Sequence, residues 1–357
     1  MNLFVLWIDI DRFQNMTFNE LLHSMKILFD HHLPFALAHG GVQRQLTQTM
    51  AALEKIGIET DYIRWWDDSQ QGDVIHFIGR PAADYITFAH SKKYKVVIAE
   101  LLTATGSRSS GNLLAQKFFI ATAKRILPST FISKMAWDSY CLADACLALT
   151  PWEAHLMNYL FDAPKEHIHV VPNGVEDIFF NSQKIPRGEW LVCTATITER
   201  KRVLELARAA VAARTPLWVI GKAYSETDVY AQEFFALAKQ NPQIIRYEGA
   251  ISDREQLAQI YREARGFVLL STMESLSLSA LEAAACECPL LLSDLFWAKT
   301  VFGNSAKFCP ITNSVEATAK MLRTFYDEAP KLPIPPRPAS WIEIAAQLKK
   351  IYENLPA

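Results

Sequence analysis

The chain has 357 residues, half of them apolar and 21% charged, with a formal net charge of −2. That length exceeds one ordinary domain and suits two of about 150–180 residues each. The balanced charge gives no ground for nucleic-acid binding. The six cysteines make no Cys-x-x-Cys pair and no zinc spacing. No apolar run reaches the ~18 residues that cross a bilayer. A reducing cytoplasm is therefore the expected compartment.

Residues 1–24 read as an N-terminal extension of unknown role, without the basic start or small-residue cleavage site of a signal peptide. Within it, Asp9 and Asp11 spell Asp-x-Asp, a spacing that elsewhere holds a metal but is common by chance. From Met25 onward, short apolar runs alternate with helical stretches. Lys26 to Phe29 reads as a strand, Gly40 and Gly41 as a tight turn, and Gln43 to Ile56 as a helix ended by Gly57. Thr60 to Trp65, Val74 to Ile78 and Lys95 to Ala99 read as further strands. The alternation predicts a parallel sheet with helices on both faces.

Between Arg80 and Asp138, nine Lys or Arg stand against three acids, around a helix that carries Leu113, Leu114, Phe118, Phe119 and Leu127. Two readings fit. One is a basic face that meets anionic membrane. The other is a solvated surface over an ordinary core helix. A linker with Pro186 and Gly188 follows, and a second alternating series starts at Trp190. It includes a helix from Val203 to Ala213 and strands at Leu217–Gly221 and 266–270. Residues 271–294 follow the last of these. Ser279 and Glu282 have capping-box spacing and predict a helix start there. Pro289 then ends that helix, and Leu290 to Leu292 reads as the next strand. Glu274 and a helix N-terminus thus fall at the carboxyl end of a strand, where open parallel sheets bind ligands and free N–H groups favour an anion. Taken singly, Glu282 serves equally as the partner in a helix cap and Glu274 as a solvated loop residue.

Glu274 and Glu282, followed by Pro289, resemble the two-glutamate motif of retaining family 4 glycosyltransferases with the GT-B fold. Leu278, Ala283 and Ala285 also match the family pattern, whereas Ser275, Ser277 and Glu287 stand where it has glycines. Val171-Pro-Asn-Gly-Val175 resembles a second family signature, placed in the hinge region. The fold implied is α/β: two Rossmann-like doubly wound domains facing a cleft. Its parts would be an acceptor domain at 25–183, a donor domain at 184–338 and a closing helix at 339–357 that crosses back.

The resemblance also implies roles. Lys201 would neutralise the donor diphosphate. The family's arginine falls on Thr196 here, so Arg200 or Arg202 is expected to supply the second charge. Glu274 would hold sugar hydroxyls and Glu282 the ribose. Ser277, Leu278 and Ser279 would offer backbone N–H groups to phosphate. Gly40, Gly41, Gly221 and Ile251 would line the donor site. Glu100 stands where many relatives carry a histidine and is expected at the site. The implied activity is metal-independent, retaining transfer from a UDP- or GDP-sugar to a glycan or lipid-linked acceptor, without a cofactor. Two alternatives stay open: a catalytically silent nucleotide-sugar binder, and a dinucleotide oxidoreductase. The second lacks a Gly-x-Gly-x-x-Gly with a downstream acid.

Overall fold

The computed structural model describes residues 25–32, 41–180 and 185–356. Residues 1–24, with Asp9 and Asp11, and Gly40 lie outside them. Two six-stranded sheets, each wholly parallel, organise the chain. The first runs β2-β1-β3-β4-β5-β6. Its strands are β1 (Lys26–His31), β2 (Glu59–Tyr62), β3 (Val74–Ile78), β4 (Lys95–Ala99), β5 (Ala145–Ala148) and β6 (Ile168–Val170). The second runs β12-β11-β10-β7-β8-β9. It is built from β7 (Leu191–Thr194), β8 (Leu217–Ile220), β9 (Ile245–Tyr247), β10 (Gly266–Leu269), β11 (Leu290–Ser293) and β12 (Ala306–Cys309). The central strands are largely apolar because helices cover both faces. Every residue of β3, β5, β10 and β11 is buried.

Two sequence expectations need correction. The strand expected to reach Trp65 stops at Tyr62. Arg64 turns back to pair with Asp61 and Asp67, and this turn leaves Trp65 and Trp66 exposed. The helix Ser110–Ile126 is not an ordinary core helix. It buries Leu113, Ile120 and Ala123 but exposes Leu114, Phe118 (76%) and Phe119 (65%).

The last helix, Trp341–Glu353, starts with a capping box between Ser340 and Glu343. Its Trp341, Ile344, Leu348 and Tyr352 pack into the first domain's core with Ile27, Phe29 and Val97. The Pro-Asn-Gly segment clamps its start. The Val175 N–H donates to Ala339 O at 2.9 Å, and the Trp341 N–H donates to Val175 O at 3.3 Å. A Cβ on Gly174 would come within 2.7 Å of Trp341 backbone, so only glycine permits this approach.

His76 on β3 anchors the other end. Its Nδ1 lies 2.6 Å from the Tyr352 hydroxyl, and its ring stacks on Phe29. Burial pushes the His76 imidazole down to about 3, so the folded chain keeps it neutral. The folded value lies below the unfolded one. The stability it contributes is therefore complete above about pH 6.5 and is lost as pH falls toward the folded value. Unfolding free energy is expected to drop by roughly 1 kcal/mol per pH unit below about pH 6 on this account. Urea midpoints between pH 7 and pH 5 should fall more steeply for the wild type than for His76→Gln. Equal slopes would contradict the assignment.

Candidate active site

The site grows from two neighbouring strands. β7 and β10 pair in parallel, Gly266 with Leu191 and Phe267 with Val192, so their carboxyl ends open on the same edge. After β7 comes a short turn, Glu199–Lys201, and after β10 the loop that carries Glu274. The two are stitched together. The Thr272 N–H donates to Arg200 O at 2.8 Å, and Arg200 Nη1 donates back to Met273 O at 2.8 Å. Ser293 Oγ, at the end of β11, holds Ser271 O at 2.6 Å.

Glu274 is buried at this junction, with only 9% of its surface exposed. Its Oε1 accepts a short hydrogen bond from Lys201 Nζ and a second, at 3.2 Å, from Arg200 Nη1. Two cations on one carboxylate leave the cluster with a local charge of about +1. Arg202 does not join them. It takes a left-handed backbone conformation (φ 54°) ahead of the Val203–Ala213 helix and turns its guanidinium to Thr312 O. Of the two arginines expected to supply the second charge, Arg200 is the one at the cluster.

The helix Leu278–Ala285 follows the Glu274 loop, and its cap differs from the expected one. Ser277, not Ser279, is the N-cap, accepting from the Ala280 N–H. Ser279 Oγ meets Ser277 Oγ at 3.1 Å, and Glu282 takes no part in a capping box. Ser277 won because its extended backbone (φ −72°, ψ 119°) is the conformation an N-cap adopts. With Ala280 capped, the Leu278 and Ser279 N–H groups have no partner within the helix. Leu278 itself packs against the first domain's core.

Glu282 points inward to a pair that sequence reading missed. Arg254, one residue past the N-cap Asp253 of its own helix, donates to Glu282 Oε1 and also binds Glu176 Oε2 at 2.6 Å. Burial raises the Glu282 carboxyl above its usual range, and Arg254 opposes that rise. Arg44, on the first domain's Gly41–Lys55 helix, also acts on the charge of Glu282. Arg254 and Glu176 are 78 residues apart, and no local spacing links them.

Gly221 serves the backbone. A Cβ there would lie 1.9 Å from Ala195 O, so the β8 end can approach the β7 end only with glycine. Gly41 opens its helix with open space around it, and Ile251 is half-buried against the second domain's core. Glu100 lies at the end of β4 in the first domain, bonded by the Tyr140 hydroxyl and 3.3 Å from Arg80 Nε. Burial raises its carboxyl, with Arg80 and Tyr140 opposing. It lines a cavity of about 410 Å³ with His31, His32 and Arg80, and shares no side-chain partner with Glu274. Among the described residues no three His, Cys, Asp or Glu form a metal-holding group.

Residues 175–347 match the family model for glycosyl transferases group 1. That stretch is a group 1 glycosyltransferase domain, and the chain is a glycosyltransferase. No curated protein matches the sequence. Among solved structures, this glycosyltransferase is similar to Anabaena HepE in complex with UDP and glucose. The two share 12% identity and a TM-score of 0.64, over 93% of this chain and 100% of the other. Sucrose-phosphate synthase from Thermosynechococcus elongatus is similar at 16% identity and a TM-score of 0.64, over 93% and 99% of the two chains. A glycosyltransferase from Rickettsia africae is similar at 13% identity and a TM-score of 0.61, over 93% and 98%. At such identities the likeness speaks for the fold, which is GT-B.

Proposed function

We propose that this glycosyltransferase takes a nucleoside-diphosphate sugar, a UDP-sugar by analogy with the Anabaena relative, and transfers its sugar with retention. One observation carries the reading. Lys201, Arg200 and Glu274 converge at the carboxyl ends of β7 and β10, beside the N-terminus of the Leu278–Ala285 helix. The leaving diphosphate gains negative charge as the glycosidic bond breaks, so pre-placed cations and free N–H groups stabilise the transition state more than the ground state. Lys201 and Arg200 supply the cations, and the Leu278 and Ser279 N–H groups the dipole end. In this reading they do the work a metal would otherwise do. Glu274 takes the sugar hydroxyls once Lys201 turns to phosphate. Glu282, oriented by Arg254 through one oxygen, holds the ribose.

UDP-sugars are expected to raise the melting temperature by several degrees at about 100 Kd, because ligands that bind only the folded form stabilise it. Glu274→Gln should cut donor turnover by about 10²-fold, the usual cost of losing one strong transition-state contact. Turnover should persist in EDTA. A shift by NAD but by no UDP- or GDP-sugar would refute the reading.

For the acceptor, the proposal is an amphiphile met at an anionic membrane surface. A cavity of about 770 Å³ in the first domain is lined by Ile63, Ile75, Phe77, Tyr85 and Phe88, and shares His31 and His32 with the Glu100 cavity. Nearby in sequence, Phe88, Phe118, Phe119, Ile126 and Phe131 are exposed among Lys92, Lys117, Lys124 and Lys134. Among the described residues no helix is long and apolar enough to cross a membrane. Apolar side chains rimmed by lysines suit a lipid interface. Co-flotation with vesicles that contain phosphatidylglycerol is expected, with loss in the double variant Phe118→Ser, Phe119→Ser. Equal binding to purely zwitterionic vesicles, or none to either, would rule this out.

A further inference from the structure

Ser275 stands next to Glu274 where the resembling family pattern has glycine, so its hydroxyl is an addition of this chain. It is buried, with 7% exposed, and it crosses the domain boundary. Ser275 Oγ lies 2.6 Å from Thr103 Oγ1, 172 residues away in the first domain. Thr103 follows Leu102, whose N–H is held by Glu153, a side chain only 1% exposed. Glu153 is itself fixed at both oxygens. Oε1 accepts the Leu102 N–H at 3.0 Å and Oε2 the Leu149 N–H at 2.9 Å. Either hydroxyl can be the donor in the Ser275–Thr103 bond.

The consequence is mechanical. Glu153 pins the segment after β4 that carries Glu100, Leu102 and Thr103. Thr103, on that segment, holds the loop of Glu274 through Ser275. Two acid-bearing loops, one from each domain, are thus tied through a single hydroxyl. A second bond runs in parallel: Asn173 Nδ2 donates to Leu276 O at 3.2 Å.

We propose that Ser275 is a positioning residue, which uses Thr103 of the first domain, on the segment that Glu153 pins, to set the Glu274 loop across the cleft. This rests on the glycosyl-transfer reading only for its effect on turnover. Its effect on the loops is independent of any substrate. The test is hydrogen–deuterium exchange of the full chain together with donor turnover, in Thr103→Val, Thr103→Ser and Ser275→Ala. Thr103→Val lies in the other domain and keeps the side-chain shape, so it stays informative even if Ser275→Ala fails to fold. Amides 271–276 should exchange about tenfold faster in Thr103→Val and match the wild type in Thr103→Ser, in keeping with loss of one buried hydrogen bond. Donor turnover should fall about tenfold in Thr103→Val while affinity for UDP alone stays within twofold. Faster exchange confined to residues 101–106, or an equal effect of Thr103→Ser, would overturn the proposal. A wild type that turns over no UDP- or GDP-sugar would count against the glycosyl-transfer reading alone and leave the exchange result decisive.

Discussion

The parallel pairing of β7 with β10 is the constraint from which the site follows. In a parallel sheet all carboxyl ends open on one edge, so the turn after β7 and the loop after β10 must meet. One brings Lys201 and Arg200, the other Glu274. No local sequence rule joins residues 73 positions apart, and the sheet register does it. Gly221 admits the next strand end to the same edge because a side chain there would strike Ala195 O.

The energetics of these charges favour a functional account. Lys201 and Glu274 expose 13% and 10% of their side chains, and Arg254 and Glu282 expose 19% and 7%. Removing such groups from water costs about as much as their attraction returns, so apolar packing would stabilise the fold at least as well. What the pairs provide is preorganisation. Each acid is held in one orientation by a cation from another segment. The helix end beside them adds free N–H groups without extra charge.

Much of this was legible in the sequence. Short, mostly apolar runs marked Val74–Ile78 and Lys95–Ala99 as strands with their observed limits. The two-glutamate spacing singled out the stretch around Glu274. What escaped was whatever depends on backbone angle or long-range pairing. Ser277 and Ser279 both offer a capping hydroxyl near this helix start, and only the observed backbone selects Ser277 as the cap. Arg202 sits beside Lys201, yet a left-handed turn sends it to Thr312. Arg254 and Glu176 carry no local signature, since their partners come from distant segments. Phe118 and Phe119 were ambiguous because an apolar side chain in a helix reads as core until the neighbouring elements are known.

The central claim is that Lys201 grips the phosphates of a nucleotide at this strand edge. Calorimetric titration of UDP and of uridine, into the wild type and Lys201→Ala, tests it most directly. The wild type is predicted to bind UDP at least about 10²-fold more tightly than uridine, the scale of one or two charge-assisted hydrogen bonds. That gap should shrink about tenfold or more in Lys201→Ala while uridine affinity holds. An unchanged gap would contradict the account.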